Sequence, residues 1–308
     1  MFKNKLLKVV VLTALVLSTT VISVSAVSSI FKEANMFQVA EKSGDINQVI
    51  ATEDFRYTHF EPETSLALQG DADTSLSPKV NIYNKMLNSI DYFNNLVLTM
   101  ETSMLNDGIT TVEYQIDINS NVAYQSVIED EQITSETYSQ AGNMILVDNL
   151  ERTYMQNYLP TYTRSDTPYI PLESRIITGE DGIPCYFYRR NVTNCPLASY
   201  SVFPQEITYS YLKDFGKWKI EDNNATYLGR DCVKIVGTPA PYIAEKHSID
   251  SFTMFVDSDT GILLYFQGTL SGNVSRYMRV TECSFETKAP IKQFNLADYD
   301  GYSEVQRW

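Results

Sequence analysis

The most constraining feature of this sequence is a pair of short segments that are apolar on both faces. Residues 251–256 alternate Phe, Met and Val with Thr and a further Phe, and residues 262–266 are apolar or aromatic at every position. The intervening Asp-Ser-Asp-Thr-Gly at 257–261 is typical of a hairpin turn. Since a sheet with one solvated face would show a polar residue at every second position, both faces of this hairpin must be covered. The sequence leaves three covers open: helices, a second layer or a lipophilic ligand.

An amphipathic helix and a run of strand-like segments precede the hairpin. From Pro78 to Asn94, apolar residues recur at three- and four-residue steps, which predicts a helix that packs on a core. Segments of period two then follow, separated by turns that contain Asn, Asp or Gly: residues 96–103, 110–119, 122–129, 132–139 and 144–148. This meander favours a sandwich, barrel or half barrel over parallel βαβ units.

The second half of the chain begins with an interrupted segment. Residues 154–203 contain several prolines and many tyrosines, so we predict an insertion here, with a short helix near 172–177. A helix is predicted for 204–213, because proline begins it and an acidic residue lies in its first turn. The remaining strands are predicted at 217–221, 225–237 with a turn at 228–230, the hairpin described above, and 276–286.

The amino terminus is typical of an export signal. Lys3, Lys5 and Lys8 precede an apolar run at 9–17, and small residues precede position 27. The signal is either cleaved or retained as a membrane anchor, and membrane association is expected only through this segment. Cleavage would change the net charge of the chain from −14 to −17, because three lysines and no acidic residues are lost. So acidic a chain, without a basic stripe, is not expected to bind nucleic acid.

Four cysteines in an exported chain raise the question of disulfides. Cys185 and Cys195 flank a short loop, so we predict a disulfide between them. Cys232 and Cys283 lie on the first and last of four consecutive strands, about 14 Å apart in a flat sheet. Unless the sheet curls strongly, these two are expected to be free thiols in the core.

Catalytic and metal-binding patterns are sparse, and we predict no catalytic residues, no metal and no cofactor. His59 and His247 lie in polar connectors without metal-ligand spacing. The Asp-x-Asp-x-Gly at 257–261 resembles the start of a calcium loop, but apolar residues follow at once and favour a turn. An extracellular hydrolase stays a third alternative, which lacks a nucleophile motif or a pair of carboxylates that the sequence places across a cleft.

Two turn motifs give the chain a resemblance to a known family. A Gly229-Arg230 turn leads into the strand 232–236, and the strand ending at Val256 leads into the Asp-x-x-Thr-Gly turn, whose return strand begins apolar. Over residues 81–285 the chain resembles the LolA-like and RseB-like superfamily of envelope proteins. The resemblance implies an α+β fold, a curved antiparallel sheet (an incomplete barrel) with helices packed on its concave face. No binding residue of the family can be carried over to this sequence.

The domain organisation expected from these features has a signal peptide or anchor at 1–26 and a connector arm at 27–80. A half-barrel domain at 81–289 with the insertion 154–203 follows, and a carboxy-terminal tail at 290–308 ends the chain. Members of the superfamily carry lipoprotein acyl chains, or bind lipid and regulate an anti-sigma factor. The long arm and the insertion depart from the family pattern.

The function predicted from the sequence is that of an exported, non-catalytic binding protein. Its half-barrel cavity would hold a lipid acyl chain or a similar lipophilic ligand, because the strands are apolar on both faces. The alternative is a cell-envelope sensor or regulator that acts through protein–protein interaction, with the insertion and the tyrosines as its contact surface. The partner is therefore either a lipophilic ligand or an envelope protein.

Overall fold

A computed structural model of the chain describes residues 77–104, 108–140, 142–158, 164–167, 169–179, 182–192, 195–287 and 290–306. The predicted signal and nearly all of the predicted connector arm lie outside these residues. The strands are β1 (Asn95–Thr102), β2 (Thr110–Asp117), β3 (Val122–Glu129), β4 (Gln132–Gln140), β5 (Asn143–Asp148), β6 (Thr153–Tyr158), β7 (Ile176–Thr178), β8 (Pro184–Tyr186), β9 (Trp218–Tyr227), β10 (Arg230–Gly237), β11 (Ser251–Asp257), β12 (Leu263–Leu270), β13 (Asn273–Phe285) and β14 (Ser303–Glu304).

Twelve of these strands form one large open sheet in the order β14-β6-β5-β4-β3-β2-β1-β13-β12-β11-β10-β9. Neighbouring strands are antiparallel, except that β14 pairs with β6 in parallel. Strands β7 and β8 form a separate hairpin. The meander predicted from the period-two segments is therefore confirmed as β1 to β5. Within the described residues, β9 and β14 are the two end strands of the sheet, and each has one unpaired edge.

The helices begin at prolines or directly after one, as the missing N–H of proline favours at a first turn. They are α1 (Pro78–Leu87), α2 (Pro196–Val202), α3 (Gln205–Leu212) and α4 (Pro241–His247). In α1, the Ser77 side chain accepts a hydrogen bond from the Val80 amide, and the apolar stripe predicted from the sequence is buried. The sequence analysis missed α2 and α4. Among the described residues, no helix is both long enough and apolar enough to cross a bilayer.

Helices α2 and α3 pack directly on one face of the sheet, which we call the helix face. The Ala198 amide donates to Gln125 Oε1 at 3.0 Å, and Ser201 Oγ donates to the Leu263 carbonyl at 2.8 Å. The Tyr211 ring lies 4.9 Å from the Phe266 ring, centroid to centroid. Helix and sheet side chains therefore fill this layer together. That the helix face is the concave one remains a prediction.

The hairpin that is apolar on both faces is covered by the chain itself. Met254 and Phe266 are cross-strand partners on the helix face, and both are fully buried. On the opposite face, which we call the outer face, Phe255 lies 5.7 Å from Tyr265 and 5.6 Å from Tyr227. Helices thus cover one face of this hairpin and an aromatic cluster covers the other. The two-sided apolar pattern is explained here without a ligand.

The sheet bends strongly at its β9 end. Tyr227 of β9 donates its hydroxyl to the Val280 carbonyl of β13 at 2.9 Å. Four strand spacings separate β9 from β13 in the sheet order, about 19 Å in a flat sheet, which a tyrosine side chain cannot span. The sheet is therefore curved at this end, and the contact lies on its outer face.

The two turn motifs behind the family resemblance are joined by an ion pair. Arg230 Nε donates to Asp257 Oδ2, and the Asp257 side chain is almost completely buried. Asp257 Oδ1 also accepts the Thr260 amide at 2.8 Å and the Thr260 hydroxyl at 2.7 Å, which closes the hairpin turn. The residue pattern at 257–261 is therefore a structural turn that is tied to the neighbouring hairpin.

The segment 154–203 differs from its prediction in detail. It begins within β6, residues 172–174 form a single 3-10 turn where a short helix was predicted, and α2 lies near its end. The fully buried Arg175 fixes the segment to the end of α1, since its guanidinium donates to the Leu87 carbonyl at 3.1 Å and to Asn88 Oδ1 at 2.5 Å. The same guanidinium donates to Gln205 Oε1 at 3.1 Å.

Candidate functional site

The carboxy-terminal segment packs across the outer face of the sheet. The sequence predicts only a tail for these residues. We call residues 290–306 the strap. Its backbone is held by outer-face side chains, because the Lys292 amide donates to Gln115 Oε1 at 3.0 Å and the Phe294 amide donates to Gln140 Oε1 at 3.2 Å. Beyond these contacts the strap forms β14 against β6. The strap therefore crosses the sheet from β2 to the edge strand.

A buried carboxylate lies beneath the strap. The Glu136 side chain is 5% exposed, and its Oε1 accepts hydrogen bonds from Lys292 Nζ at 2.6 Å, Tyr124 Oη at 2.8 Å and Tyr138 Oη at 2.9 Å. Its Oε2 accepts a hydrogen bond from Tyr299 Oη at 2.7 Å. Two of these donors, Lys292 and Tyr299, come from the strap, so the carboxylate binds the strap to the sheet.

The electrostatics of Glu136 favour the charged form. Burial alone would raise the pKa of this carboxyl, but the hydrogen bonds from Lys292, Tyr299 and the two sheet tyrosines outweigh burial and lower the pKa from 4.5 to about 2. Burial and the neighbouring Tyr299 raise the pKa of Tyr138, which keeps its hydroxyl protonated as a donor. Glu136 is therefore an anionic acceptor that needs a cation opposite it.

Aromatic contacts surround this carboxylate. Phe294 and Tyr299 of the strap stack with ring centroids 5.3 Å apart, and Phe294 meets the Tyr138 ring edge-on at 5.6 Å. The sheet residues beneath them form a small separate core, which we call the tyrosine site together with Glu136: Tyr124, Tyr138, Ile145, Val147 and Tyr154. Such aromatic packing stabilises the docked strap beyond the area that it buries.

Next to the tyrosine site, the strap and the sheet enclose a groove of about 240 Å³. Its floor is the outer face at the start of β1 and β3 and the end of β2, and its other wall comes from residue 287 and the strap. We call it the strap groove, and its lining consists of Asn95, Leu96, Val97, Ile116, Asp117, Ser120, Val122, Thr287, Pro290, Ile291 and Gln293. Apolar and polar side chains share the lining, so the groove is amphipathic.

Two polar groups define the chemistry of the strap groove. Asn95 Oδ1 is buried and accepts no hydrogen bond from the described residues. The Asp117 carboxylate already accepts hydrogen bonds from the amides of Asn119 and Ser120, at 2.9 and 3.0 Å, and from the Ser120 hydroxyl at 2.7 Å. The groove thus has one buried acceptor without a donor and one carboxylate in its wall.

Comparisons with known proteins agree with the family resemblance at the level of structure. Pseudomonas aeruginosa MucB in its complex with MucA is 14% identical and matches over 70% of this chain and 59% of its own, with a TM-score of 0.39. The Mycobacterium tuberculosis lipoprotein LppX is 11% identical and matches over 70% and 100%, with a TM-score of 0.37. A LolA superfamily protein from Nitrosomonas europaea is 9% identical and matches over 68% and 93%, with a TM-score of 0.22.

This chain spans less than two thirds of the MucB chain. No protein-family model matches the sequence, and no curated protein matches it. At such TM-scores the likeness transfers no ligand and no partner to this chain.

The predicted disulfide between Cys185 and Cys195 is not formed, and both residues are free thiols. Cys185 pairs with Ile177 on the side of the β7–β8 hairpin that faces solvent, as the 43% exposure of Ile177 shows. Cys195 lies fully buried before α2 on the opposite side of this segment, where burial raises the pKa of its thiol. The short sequence separation therefore does not bring the two sulfur atoms together.

Cys232 and Cys283 are free thiols, as predicted, although the sheet bends between them. Cys232 is fully buried, and burial raises the pKa of its thiol to about 11. Burial raises the pKa of the partly exposed Cys283 to about 12. Neither lines the strap groove.

Of the two histidines, His59 lies outside the described residues. His247 is not an exposed connector residue as predicted, because it ends α4 and its Nδ1 lies 2.6 Å from Tyr211 Oη. In the described part of the chain, no group of three or more His, Cys, Asp or Glu side chains could hold a metal ion.

Sequence reasoning missed both the strap and Glu136. Glu136 is one acidic residue among 38 Asp and Glu, and only its position opposite Tyr124 and Tyr138 in the folded sheet distinguishes it. A weak signal does exist in the strap, where apolar and aromatic residues recur among polar ones: Ile291, Phe294, Leu296, Tyr299, Tyr302 and Val305. Their spacing fits neither a helix nor a strand.

Proposed function

We propose that this chain is an extracytoplasmic, non-catalytic binding protein that takes the hydrocarbon end of an amphipathic molecule into the strap groove. The observation that carries the proposal is the groove itself, with Val97, Val122 and Ile291 beside the unpaired acceptor of Asn95. A pocket that combines apolar walls with a few polar groups is the usual form of a small-molecule site. The export signal at the amino terminus supports the location outside the cytoplasm.

The size of the groove favours one end of a longer molecule. Pockets that enclose a whole small molecule typically measure roughly 300–1,000 Å³, and the strap groove measures about 240 Å³. A linear alkyl or acyl chain could therefore insert its end while the remainder stays outside.

The polar group of the ligand is inferred from charge. Asp117 lies in the groove wall and the full chain carries a net charge of −14, so an anionic headgroup would be repelled. We therefore favour an amphiphile with a neutral or cationic headgroup.

The packing of the helix face supports the outer groove over the half-barrel cavity that the sequence predicted. Met254, Phe266 and Met278 are fully buried, α2 is hydrogen-bonded to the sheet, and the Tyr211 ring of α3 packs against Phe266. A guest between helices and sheet would first have to displace these helices. Binding in the strap groove requires no such change.

The groove lining also supports a role in binding alone. Its one carboxylate, that of Asp117, already accepts three hydrogen bonds from its own turn. Acid–base hydrolysis of a glycoside would need a second carboxylate across the groove.

Calorimetric titration tests the proposal with 1-decanol and with decanoate, which share the chain length and differ in the headgroup. We expect 1-decanol to bind and decanoate to bind at least about fivefold more weakly, since repulsion on the order of 1 kcal/mol is expected near a like charge. Val97→Trp fills the groove and should abolish binding. Thr99→Trp, two residues along the same face of β1 and outside the groove lining, is the matched control.

Equal loss in the two Trp variants, or undiminished binding in Val97→Trp, would show that the ligand does not occupy this groove. Thermal melts of both variants establish that each is folded before titration.

A further inference from the structure

The strap is attached to the sheet by few side chains. Its side-chain contacts with the sheet come mainly from five residues: Ile291, Lys292, Phe294, Tyr299 and Tyr302. Between Asn295 and Asp298, and again over residues 303–306, the strap is exposed. Its regular structure is limited to one 3-10 turn and the two residues of β14. A segment held in this way opens more readily than the rest of the fold.

We propose that the tyrosine site is a peptide-binding site, which the strap occupies within its own chain and which a segment of a separate partner polypeptide can occupy instead. The partner segment is defined by the chemistry of the strap: a lysine, an aromatic residue two positions later and a tyrosine seven positions later. This inference does not rest on the ligand proposed for the strap groove, although a partner that displaces the strap also removes one wall of that groove.

The lysine is the specificity element of this site. Glu136 is 5% exposed and lies among aromatic rings, so its negative charge is largely removed from water. Lys292 Nζ lies 2.6 Å from Glu136 Oε1 and 4.8 Å from the centroid of the Tyr124 ring. A segment without a cation at this position would leave the carboxylate buried without a partner charge, which is strongly unfavourable.

The edge strand β6, with which the strap pairs, supplies contacts that do not depend on the side chains of the bound segment. The Ser303 amide donates to the Arg152 carbonyl at 3.1 Å, and the Val305 amide donates to the Tyr154 carbonyl at 2.9 Å. An extended partner segment can repeat both bonds, because addition of a strand to a sheet edge uses main-chain groups alone. The site therefore combines one charged contact, an aromatic cluster and an edge strand.

Competition with the tethered strap must be relieved before a partner can bind tightly. A short tether holds its own segment at an effective concentration that reaches the millimolar range. The apparent affinity for an added peptide is the intrinsic affinity multiplied by the fraction of molecules in which the strap is undocked. Weakening the strap should thus strengthen the binding of a partner.

The experiment uses the full-length chain and a fluorescently labelled peptide with the sequence of residues 290–306. Fluorescence anisotropy compares the wild-type chain with a weakened-strap chain that carries Lys292→Ala and Tyr299→Ala. We expect the weakened-strap chain to bind the peptide at least about tenfold more tightly than the wild type. Circular dichroism confirms that the sheet is retained.

Two controls test specificity. A peptide in which the lysine is replaced by glutamate should lose binding to the weakened-strap chain. Adding Glu136→Gln to the weakened-strap chain should reduce its affinity for the unchanged peptide to that of the glutamate peptide.

The proposal is overturned if the weakened-strap chain binds both peptides equally or binds neither. Wild-type dimers that Glu136→Gln dissociates would overturn the choice of a separate partner, and would identify the strap of a second copy as the occupant.

Discussion

Replacement of Glu136 by glutamine should release the strap while leaving the remainder of the sheet folded. The variant keeps the size of the side chain but removes the charge opposite Lys292, and it turns an acceptor that faces Tyr299 into a donor. Hydrogen bonds from Lys292 and Tyr299 of the strap and from the two sheet tyrosines together lower the pKa of Glu136 from 4.5 to about 2, and a shift of this size corresponds to about 3 kcal/mol at neutral pH. The strap supplies only part of this stabilisation and glutamine can retain part of the hydrogen bonding, so we expect a loss of about 1–2 kcal/mol.

Hydrogen exchange measured by mass spectrometry can detect this loss locally. The amides of Lys292, Phe294 and Val305 are hydrogen-bonded in the docked strap. At about 1.4 kcal/mol for each factor of ten, their exchange should accelerate on the order of tenfold in Glu136→Gln, while peptides from β1 and β2 exchange at the wild-type rate. Glu113→Gln, an exposed position on the same face that accepts only from Ser126 at 3.2 Å among the described contacts, should leave both regions unchanged.

The same carboxylate predicts how strap docking depends on pH. Because the pKa is lower in the docked state, the stabilisation is fully present above pH 4.5 and is lost as the pH falls towards 2. Unchanged exchange of the strap in Glu136→Gln at neutral pH, or equal acceleration across the whole sheet, would refute the reasoning.

The remaining predictions concern the fold and the cysteines. Gly261→Ala should destabilise the protein by about 3 kcal/mol or more in chemical denaturation, because φ is +74° and a Cβ would lie 2.6 Å from the main chain of α1. Gly229→Ala has a φ of +73° with open space around it, and should cost only about 1 kcal/mol; equal costs would show that the close approach is unimportant. Arg175→Leu should destabilise by about 2 kcal/mol or more, since it removes the donor to the buried Leu87 carbonyl and one of the donors to Asn88 and Gln205, and a loss below about 1 kcal/mol would contradict this. Alkylation of the unreduced chain followed by mass spectrometry should find four free thiols, with Cys195 labelled only after unfolding. If Cys185 and Cys195 both stay unlabelled in the unfolded chain, the disulfide between them is formed.

The sequence predicts those elements whose pattern repeats. Strands β1 to β5 follow turns rich in Asn, Asp and Gly, and α1 carries a regular apolar stripe, so both could be located within a few residues. Helix α2 was missed because it is seven residues long and lies in a segment with many prolines. Short elements of this kind depend on tertiary packing more than on local preference.

The candidate site could not be predicted for a different reason. The two-sided apolar hairpin correctly indicates that both faces are covered, but the pattern cannot distinguish a ligand from Tyr227, which lies on another strand. The strap groove depends on the docking of residues 290–306 about 170 residues after the strands that they cover. Only the folded chain brings Asn95 and Ile291 together.

The most direct test of the central claim is a crystal structure of the protein with 10-bromodecan-1-ol, in which the anomalous signal of bromine locates the end of the alkyl chain. Our account predicts the bromine peak in the strap groove, beside Val97 and Ile291 on the outer face. A peak between the helices and the sheet, near Phe266, would contradict the account and restore the half-barrel cavity as the binding site.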